Sequence, residues 1–548
     1  MALASVLLTA GIRSTVDLTL GDDARHLLAS RSLPWAEIFG RPSFLYTMWL
    51  KLVGIFSIDV ADTYYSNISL LSMASTLAVF WYVRQRSFRV RLAMAVAFMW
   101  CITPLNVPLY DKSHLFAAVL VLAGFIAGGY CRQRCMKELA VAGGLLLASC
   151  VKQFYLGPSV FMAVLSLLSC RPTRLARLLP YIVFAEAAFL LKQGAWGGWL
   201  FDQPDMALAA EFRRAFMGSW NMMQDIPRPA DSMALASVQD KIWRETFGAE
   251  AAGFLDAALK NPTAVFYAAG FGGLQTVRIA AEHLFLHYPV LLPTNAFRAI
   301  VLEGFAYGGA FCCLLALALV DHNLARKLFL KRHKTQLSWW LVAAAPAVFL
   351  CLVTAPDAGL ALPICLIALI FGGLAIGELA ARKGWLIGGG YRKTLAASVL
   401  MLLAVPRVYT MPPKTDLISA ESRIIGRIHS TLPVRATARF VEDLELPPMR
   451  ALVLDDRWAA YLPAHIEVVS AHGGADIKRL VGSGGVGMIL DNGSFAGSQR
   501  QQRDLAEILE RPASFGLREV KVPDSSDSRI LLRDAKPKPA FTRGRARR

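Results

Sequence analysis

The sequence predicts a polytopic α-helical membrane protein with a small C-terminal α/β domain, and three observations support this fold class. Of the 548 residues, 55% are hydrophobic and only 18% are charged, whereas soluble domains have about 45–50% and about 25%. Apolar runs recur up to residue 408, and many approach the ~20 residues that cross a bilayer. Beyond residue 411, short apolar runs alternate with polar helical patterns, which is typical of an α/β layer.

Eleven apolar stretches are the expected membrane spans. Several are shorter than ~20 residues, but flanking Trp, Tyr, Lys and Arg at the interface extend them to spanning length. Two apolar pieces within 264–293 would raise the count to thirteen and leave the sidedness unchanged. The eleven stretches are 2–12, 67–83, 92–109, 113–130, 139–151, 157–170, 177–194, 299–320, 338–354, 360–380 and 394–408.

The basic residues predict the orientation of the spans. Positive loops mark the cytoplasmic side, and the short loops on the opposite side contain only Lys112 and Lys152. The N-terminus is then cytoplasmic, while the loops 13–66 and 195–298 and the C-terminal domain face outward. The net charge of +18 therefore sets orientation, and no nucleic-acid partner is expected. Nineteen Lys and Arg fall in the inner loops 84–91, 131–138, 171–177, 321–336 and 381–393.

The chain divides into a membrane domain (1–411), an extracytoplasmic α/β domain (412–534) and a basic tail (535–548) that is expected to be disordered. The glycine-rich turn 482–487 precedes a strand, whereas a nucleotide-binding loop follows one. The expected strands are 450–455, 465–470, 486–491 and 517–522, and the expected helices between them are 457–463, 475–481 and 498–510.

Three polar sites stand at the outer ends of the predicted spans. Each has a plainer explanation, because Asp residues cap helices and a lysine beside a span snorkels to the interface. The topology nevertheless places all three sites on one face, so we expect them to converge there. The first site is Asp22, Asp23, Arg25 and His26; the second is Asp111, Lys112 and His114; the third is Lys152, Gln153 and Tyr155.

The order of these segments carries a family resemblance. A short first span is followed by a DD-x-x-x-L segment, and then by RPSFLYTMWLKLVGIF, TPLNVPLYDKSHLFAAVL and GGLLLASCVKQFYLGPSVFM. Over residues 1–200 this order resembles the type C (GT-C) glycosyltransferase superfamily. The resemblance is to the bacterial relatives of dolichyl-phosphate-mannose protein mannosyltransferase and of lipid A aminoarabinose transferase.

The resemblance implies an inverting glycosyltransferase of the bacterial inner membrane. Such enzymes pass a sugar from a polyprenyl-phosphate carrier to a glycan, glycolipid or protein acceptor at the non-cytoplasmic face. The family's catalytic acid matches Asp22 or Asp23, its second acidic position matches Asp111, and its basic position matches Lys152. The segment 354–363 departs from the family, since it lacks the usual cation before a proline.

These residue types suit the chemistry. A carboxylate within reach of the acceptor hydroxyl serves as general base, and cations stabilise the leaving phosphate. Besides Lys152, the candidates for binding the donor phosphate are Lys112 and Arg25. The candidate substrate contacts are His26, His114, Gln153 and Tyr155. No metal ligands and no cofactor beyond the polyprenyl-phosphate sugar are expected, and dependence on a divalent metal stays open.

Two other functions are consistent with a membrane domain of this kind. The first is a transporter or flippase, and the second is a non-catalytic cell-envelope scaffold with an accessory α/β domain. A transporter is expected to contain matched half-repeats and ionisable residues inside its spans. The sequence has no evident repeat between 1–200 and 299–408, and its acids stand at span ends.

Overall fold

Much of the chain is described by a computed structural model. Of the residues and segments predicted above, Asp22, Asp111, the spans 299–320 and 394–408 and the tail 535–548 lie outside the described residues. The described residues are 1–9, 23–39, 41, 43–57, 60–87, 89–101, 103–106, 112–170, 178–196, 212–213, 216, 241–248, 254–285, 331–353, 358–382, 432–454, 458, 462–463, 465–470, 477–491, 499–521 and 529–533.

The chain forms two compact units, one within residues 1–417 and the other largely from 418–548. The first unit is helical. Its helices are α1 (Ala2–Thr9), α2 (Asp23–Ser32), α3 (Trp35–Ile38), α4 (Phe44–Ile55), α5 (Val60–Ser87), α6 (Val90–Cys101), α7 (Lys112–Tyr130), α8 (Arg134–Ser149), α9 (Leu156–Cys170), α10 (Leu179–Trp196), α11 (Phe254–Lys260), α12 (Pro262–Phe285), α13 (Lys331–Val353) and α14 (Ala358–Arg382), with 3₁₀ turns at Pro104–Asn106 and Gln153–Tyr155.

Four helical stretches among the described residues are long and apolar enough to cross a membrane. They are 62–87, 112–130, 153–170 and 333–353. This finding agrees with four of the predicted spans, while the total number of spans stays a prediction. The helices α2, α3 and α4 lie within the loop 13–66.

Several helix ends differ from the predicted spans. Within the predicted span 92–109 the helix stops early, because α6 ends at Cys101 and Pro104 opens a separate 3₁₀ turn. Proline has no backbone N–H and clashes with the preceding helical turn, so the apolar run continues where the helix does not. In contrast, α5 extends well beyond the predicted 67–83, since the polar residues Asp62 and Arg84 lie within the same helix.

A buried polar network joins α5, α6 and the Pro104–Asn106 turn. The Asn106 side-chain amide donates to Ser72 Oγ at 2.8 Å and to Thr76 Oγ1 at 3.1 Å. Its carbonyl oxygen accepts from Ser75 Oγ, which itself accepts from Trp100 Nε1 at 3.1 Å. Each of these bonds satisfies a polar group that would be costly to bury alone.

The second unit contains a five-stranded sheet with strand order β2-β1-β3-β5-β4. The β1 strand pairs in parallel with β2 and β3, while β5 pairs antiparallel with β3 and β4. The small α/β layer predicted from the sequence is thus confirmed. The elements are α15 (Leu432–Asp443), β1 (Met449–Val453), β2 (Ile466–Ser470), α16 (Ile477–Gly482), β3 (Met488–Asp491), α17 (Gln499–Glu510), a 3₁₀ turn (Pro512–Phe515), β4 (Leu517–Lys521) and β5 (Arg529–Arg533).

The two faces of this sheet bury separate hydrophobic clusters. Ala451, Val453 and Trp458 belong to one cluster, and Leu452 and Leu454 belong to the other. This alternation follows the two-residue period of a strand covered on both faces. The predicted strands match β1 to β4, whereas β5 was missed. Of the predicted helices, 475–481 and 498–510 correspond to α16 and α17, and 457–463 lies mostly outside the described residues.

Candidate active site

The first predicted site lies on α2, which starts at Asp23. The side chains of Asp23 and Arg25 are outside the described part of the chain. His26 is half-buried, and its Nδ1 lies 3.0 Å from Thr47 Oγ1 on α4. The imidazole also meets the Tyr46 ring edge-on at 5.6 Å. His26 therefore attaches α2 to α4. It lies three residues after Asp23, the second member of the predicted catalytic pair.

An aromatic and amide frame joins α4 to α5 and α7. Trp49 Nε1 donates to Asn67 Oδ1 at 2.7 Å, and the Asn67 amide donates to the Tyr46 hydroxyl at 3.0 Å. The rings of Tyr46 and Trp49 both pack on Phe116, with centroids 5.7 and 5.4 Å away. Asn67 thus uses its whole amide group to position the loop helix α4 on the helices beneath it.

Lys112 of the second site is the first residue of α7 and is completely buried. Its Nζ lies 4.2 Å from the centroid of the Tyr64 ring on α5. A cation–π contact of this kind offsets part of the cost of desolvating an ammonium group. The N-terminus of a helix carries partial positive charge, so a buried cation there favours an anion close by.

His114 lies two residues further along α7 and is also buried. Its imidazole stacks on the Phe154 ring, with centroids 6.1 Å apart and an interplanar angle of 27°. Gly359, near the start of α14, has no side chain where the imidazole packs. A Cβ added at Gly359 would lie 2.5 Å from His114 Nδ1. His114 therefore brings α7, the 153–155 turn and α14 together.

The third site is the turn between α8 and α9. Lys152 and Gln153 are half-buried, and Lys152 precedes the 3₁₀ turn, its carbonyl accepting from the Tyr155 N–H at 3.2 Å. Ser43 Oγ, just before α4, donates to the Val151 carbonyl at 2.6 Å. This bond attaches the loop helices to the turn that carries Lys152.

Tyr155 lies in the interior of the helical unit. It is almost completely buried and lines a small cavity of about 10 Å³. The cavity also contacts Ala118, Trp340 and Pro363, and its size corresponds to about one water molecule. Tyr155 therefore packs α7 against α13 and α14, and its predicted contact with a substrate stays a prediction.

Shared contacts join residues of the first and second predicted sites to Phe154, which lies in the turn of the third site, and we call this group of residues the helix-end cluster. Sequence reasoning missed its aromatic members, because an aromatic residue in an apolar run gives no signal of which polar group it will contact. The cluster comprises His26, Tyr46, Trp49, Tyr64, Asn67, Lys112, His114, Phe116 and Phe154.

Positive charge is concentrated where α5 ends and α6 begins, at the end of α5 opposite to the helix-end cluster. The last turn of α5 carries Arg84 and Arg86, Arg89 lies between the two helices, and Arg91 is in the first turn of α6. Gln85 at the end of α5 donates to the Ile126 carbonyl of α7 at 3.2 Å. The C-terminal ends of α5 and α7 therefore lie side by side, just as their N-terminal ends do in the helix-end cluster.

Comparisons of the chain with protein-family models, with curated proteins and with solved structures find no match.

Proposed function

We propose that the protein is an integral membrane glycosyltransferase that transfers a sugar from a polyprenyl-phosphate carrier to an acceptor. The observation that carries the proposal is the helix-end cluster. Contacts from His26 to Tyr46, from Lys112 to Tyr64 and from His114 to Phe154 connect three segments that are far apart in sequence. A reaction that needs a base and a phosphate-binding cation requires such a meeting of segments.

The reaction site faces the non-cytoplasmic side of a bacterial inner membrane. Arginines between α5 and α6 occupy the opposite helix ends, and an excess of positive charge marks the cytoplasmic side. The four apolar stretches of spanning length support membrane insertion. On this arrangement the C-terminal α/β unit is extracytoplasmic.

The general base is Asp22 or Asp23, with Asp111 as the second acidic group. In a single displacement the acceptor oxygen forms a bond to the anomeric carbon while its proton passes to the carboxylate. The bond from that carbon to the phosphate oxygen breaks, and its electron pair leaves with the carrier phosphate. General base assistance of this kind contributes about 10²–10⁴-fold.

Lys112 stabilises the leaving phosphate, together with Lys152 and Arg25. The support for Lys112 is its complete burial at the N-terminus of α7. In such a dry place a cation stabilises developing negative charge more strongly than it would in water. The Tyr64 ring beneath its ammonium group fixes the position of the charge before the substrate arrives.

His26, His114 and Gln153 are assigned to substrate contacts. His114 is the most constrained of them, since it lies between Phe154 and Gly359. The segment 354–363, which lacks a cation, leads into this position. An imidazole there supplies a polar group next to the start of α14.

The test is a transfer assay with purified protein in lipid nanodiscs. Undecaprenyl-phosphate-linked hexoses and pentoses, tritiated in the sugar, are the donors, and a bacterial envelope fraction supplies acceptors. We expect Asp22→Asn or Asp23→Asn to lower transfer by about 10²–10⁴-fold. We expect Lys112→Met to lower it by about 10²–10³-fold, with partial recovery in Lys112→Arg.

Glu37→Gln is the matched control, because Glu37 is an exposed carboxylate in the same loop. Its transfer rate should equal that of the unsubstituted protein. Unchanged transfer in both aspartate variants would exclude the assigned base. If no donor loses its sugar to any acceptor while the protein remains folded by circular dichroism, the transferase proposal is wrong and a transporter or scaffold is favoured.

A further inference from the structure

The α5–α6 turn concentrates positive charge in a small space, and we call Arg84, Arg86, Arg89 and Arg91 the basic turn. Ser87 makes the turn compact: its Oγ donates to the Val83 carbonyl at 2.8 Å and accepts from the Arg89 N–H at 3.3 Å. Four like charges within eight residues repel one another. An anion bound between them relieves that repulsion.

Arg86 is held in place by an aromatic stack. Its guanidinium carbon lies 5.2 Å from the centroid of the buried Tyr82 ring. The Tyr82 hydroxyl accepts from Trp340 Nε1 at 3.0 Å, and Trp340 stacks on Phe125 at 4.4 Å. Helices α5, α7 and α13 all contribute to this stack. A guanidinium fixed in this way loses little conformational freedom when it binds a phosphate through two parallel hydrogen bonds.

Exposed aromatic residues lie next to the basic turn. Trp81 Nε1 donates to the Tyr130 hydroxyl at 2.5 Å, and both side chains are about half exposed or more. Trp and Tyr with an exposed apolar body and a polar tip are typical of the headgroup level of a bilayer. Arg84 follows Trp81 by three residues and so lies on the same helix face, one turn nearer the basic end.

The surface changes from charged to apolar along this face of α5. Leu77, four residues before Trp81, is exposed. A ligand that complements the face therefore has a negative group at the level of Arg84 and an apolar chain at the level of Leu77. Inorganic phosphate matches only the charged part.

We propose that the basic turn binds the headgroup phosphate of an anionic phospholipid, with Arg84 as the ligand on the Trp81 face, Arg86 as a second cation from the Tyr82 side of α5, and the acyl chain along Trp81 and Leu77. Tight lipid binding at this turn fixes the cytoplasmic ends of α5 and α7. This site requires that α5 crosses a membrane, but it does not depend on the proposed transferase activity. It lies at the helix ends opposite to the helix-end cluster.

Native mass spectrometry of the full-length protein in detergent tests the site. Dioleoylphosphatidylglycerol and dioleoylphosphatidylcholine are compared as ligands with the same acyl chains. We expect the protein to retain the anionic lipid at least fivefold more than the zwitterionic one. The double variant Arg84→Gln, Arg86→Gln should lose at least fivefold of that retention, with no change for the zwitterionic lipid.

Two further variants serve as controls. Arg41→Gln removes an exposed arginine in the segment before α4 and should bind both lipids as the unsubstituted protein does. The double variant Arg84→Lys, Arg86→Lys keeps the charge and should retain part of the preference for the anionic lipid. This variant still tests the site if the glutamine double variant fails to fold.

Four results would overturn the site. The first is equal retention of the two lipids by the unsubstituted protein. The second is an unchanged preference in a folded glutamine double variant. The third is a complete loss of preference in the lysine double variant. The fourth is displacement of the anionic lipid by millimolar inorganic phosphate, which would indicate a site for the free ion.

Discussion

Gly144 of α8 lies against the backbone of α7, and this contact can be tested by adding a single methyl group. A Cβ at Gly144 would lie 2.6 Å from the Cα of Gly124 and 2.9 Å from the carbonyl oxygen of Leu120. These neighbours are backbone atoms, so no side-chain rotation can make room. In contrast, a Cβ at the adjacent Gly143 would meet no heavy atom within 4 Å. Gly143→Ala is therefore a matched control within the same helix.

The size of the effect follows from this geometry. Carbon atoms pack best at about 3.5–4.0 Å, so the two helices must separate by about 1 Å to accept alanine at Gly144. Overpacking of this kind costs about 1–3 kcal/mol. Replacing a helical glycine by alanine also gains up to about 1 kcal/mol of helix propensity. That gain is common to both variants, so Gly144→Ala should be less stable than Gly143→Ala by about 1–3 kcal/mol.

The free energy of unfolding is measured by titration with sodium dodecyl sulfate in mixed micelles, followed by circular dichroism. The comparison uses the difference between the two alanine variants, which cancels the shared propensity. Equal stability of the two variants would refute the close approach of α7 and α8. A small-residue crossing is a common way for membrane helices to pack, and here it sets the spacing between α7, which carries Lys112, and the turn that follows α8.

Three further outcomes are expected. Gly359→Ala should displace the His114 imidazole from its preferred rotamer, at a cost of about 0.5–1.5 kcal/mol. Sugar transfer should then fall at least tenfold. Unchanged transfer would show that His114 does not contact the substrate. Asn106→Leu should lower the free energy of unfolding by about 1–3 kcal/mol, because the surrounding hydroxyl groups lose their partner, and a detergent-unfolding difference below ~0.5 kcal/mol would contradict the network. Gly516 has a φ of +68°, so Gly516→Ala should destabilise the α/β unit by about 1–2 kcal/mol. Faster amide hydrogen exchange in the flanking strands is the readout for Gly516→Ala, and Gly482→Ala, which meets no heavy atom within 4 Å, should leave that exchange unchanged.

The sequence predicted the features that depend on local composition. The span 113–130 matches α7 to within one residue, because a continuous apolar run between polar residues has few alternative structures. The strands around Ala451 and Ile489 were found from short apolar runs bounded by turn residues. The inner strand β5, which pairs with both β3 and β4, was missed, since its five residues, Arg529–Arg533, place charges at both ends.

Part of the candidate site could be predicted from the sequence, and the reason is physical. Asp23, Lys112 and Lys152 stand out because charge is costly near hydrocarbon. Their sequence positions do not reveal that Lys112 is completely buried, nor that the Tyr64 ring lies beneath its ammonium group. Those facts depend on the rotation of α5 and α7 about their axes. A hydropathy pattern does not fix that rotation when a helix is apolar on every side.

The sequence by itself determined the apolar helical stretches, the charge difference between their two ends and the α/β character of the C-terminal part, because hydropathy and charge are properties of single residues that add along the chain. Only the tertiary structure decided which polar groups meet. Gly359 against His114 is a contact between helices that are distant in sequence, and Gly124 against Gly144 is a contact between two consecutive helices. Such contacts depend on interhelical distance and register, which are settled by the packing of all the helices together.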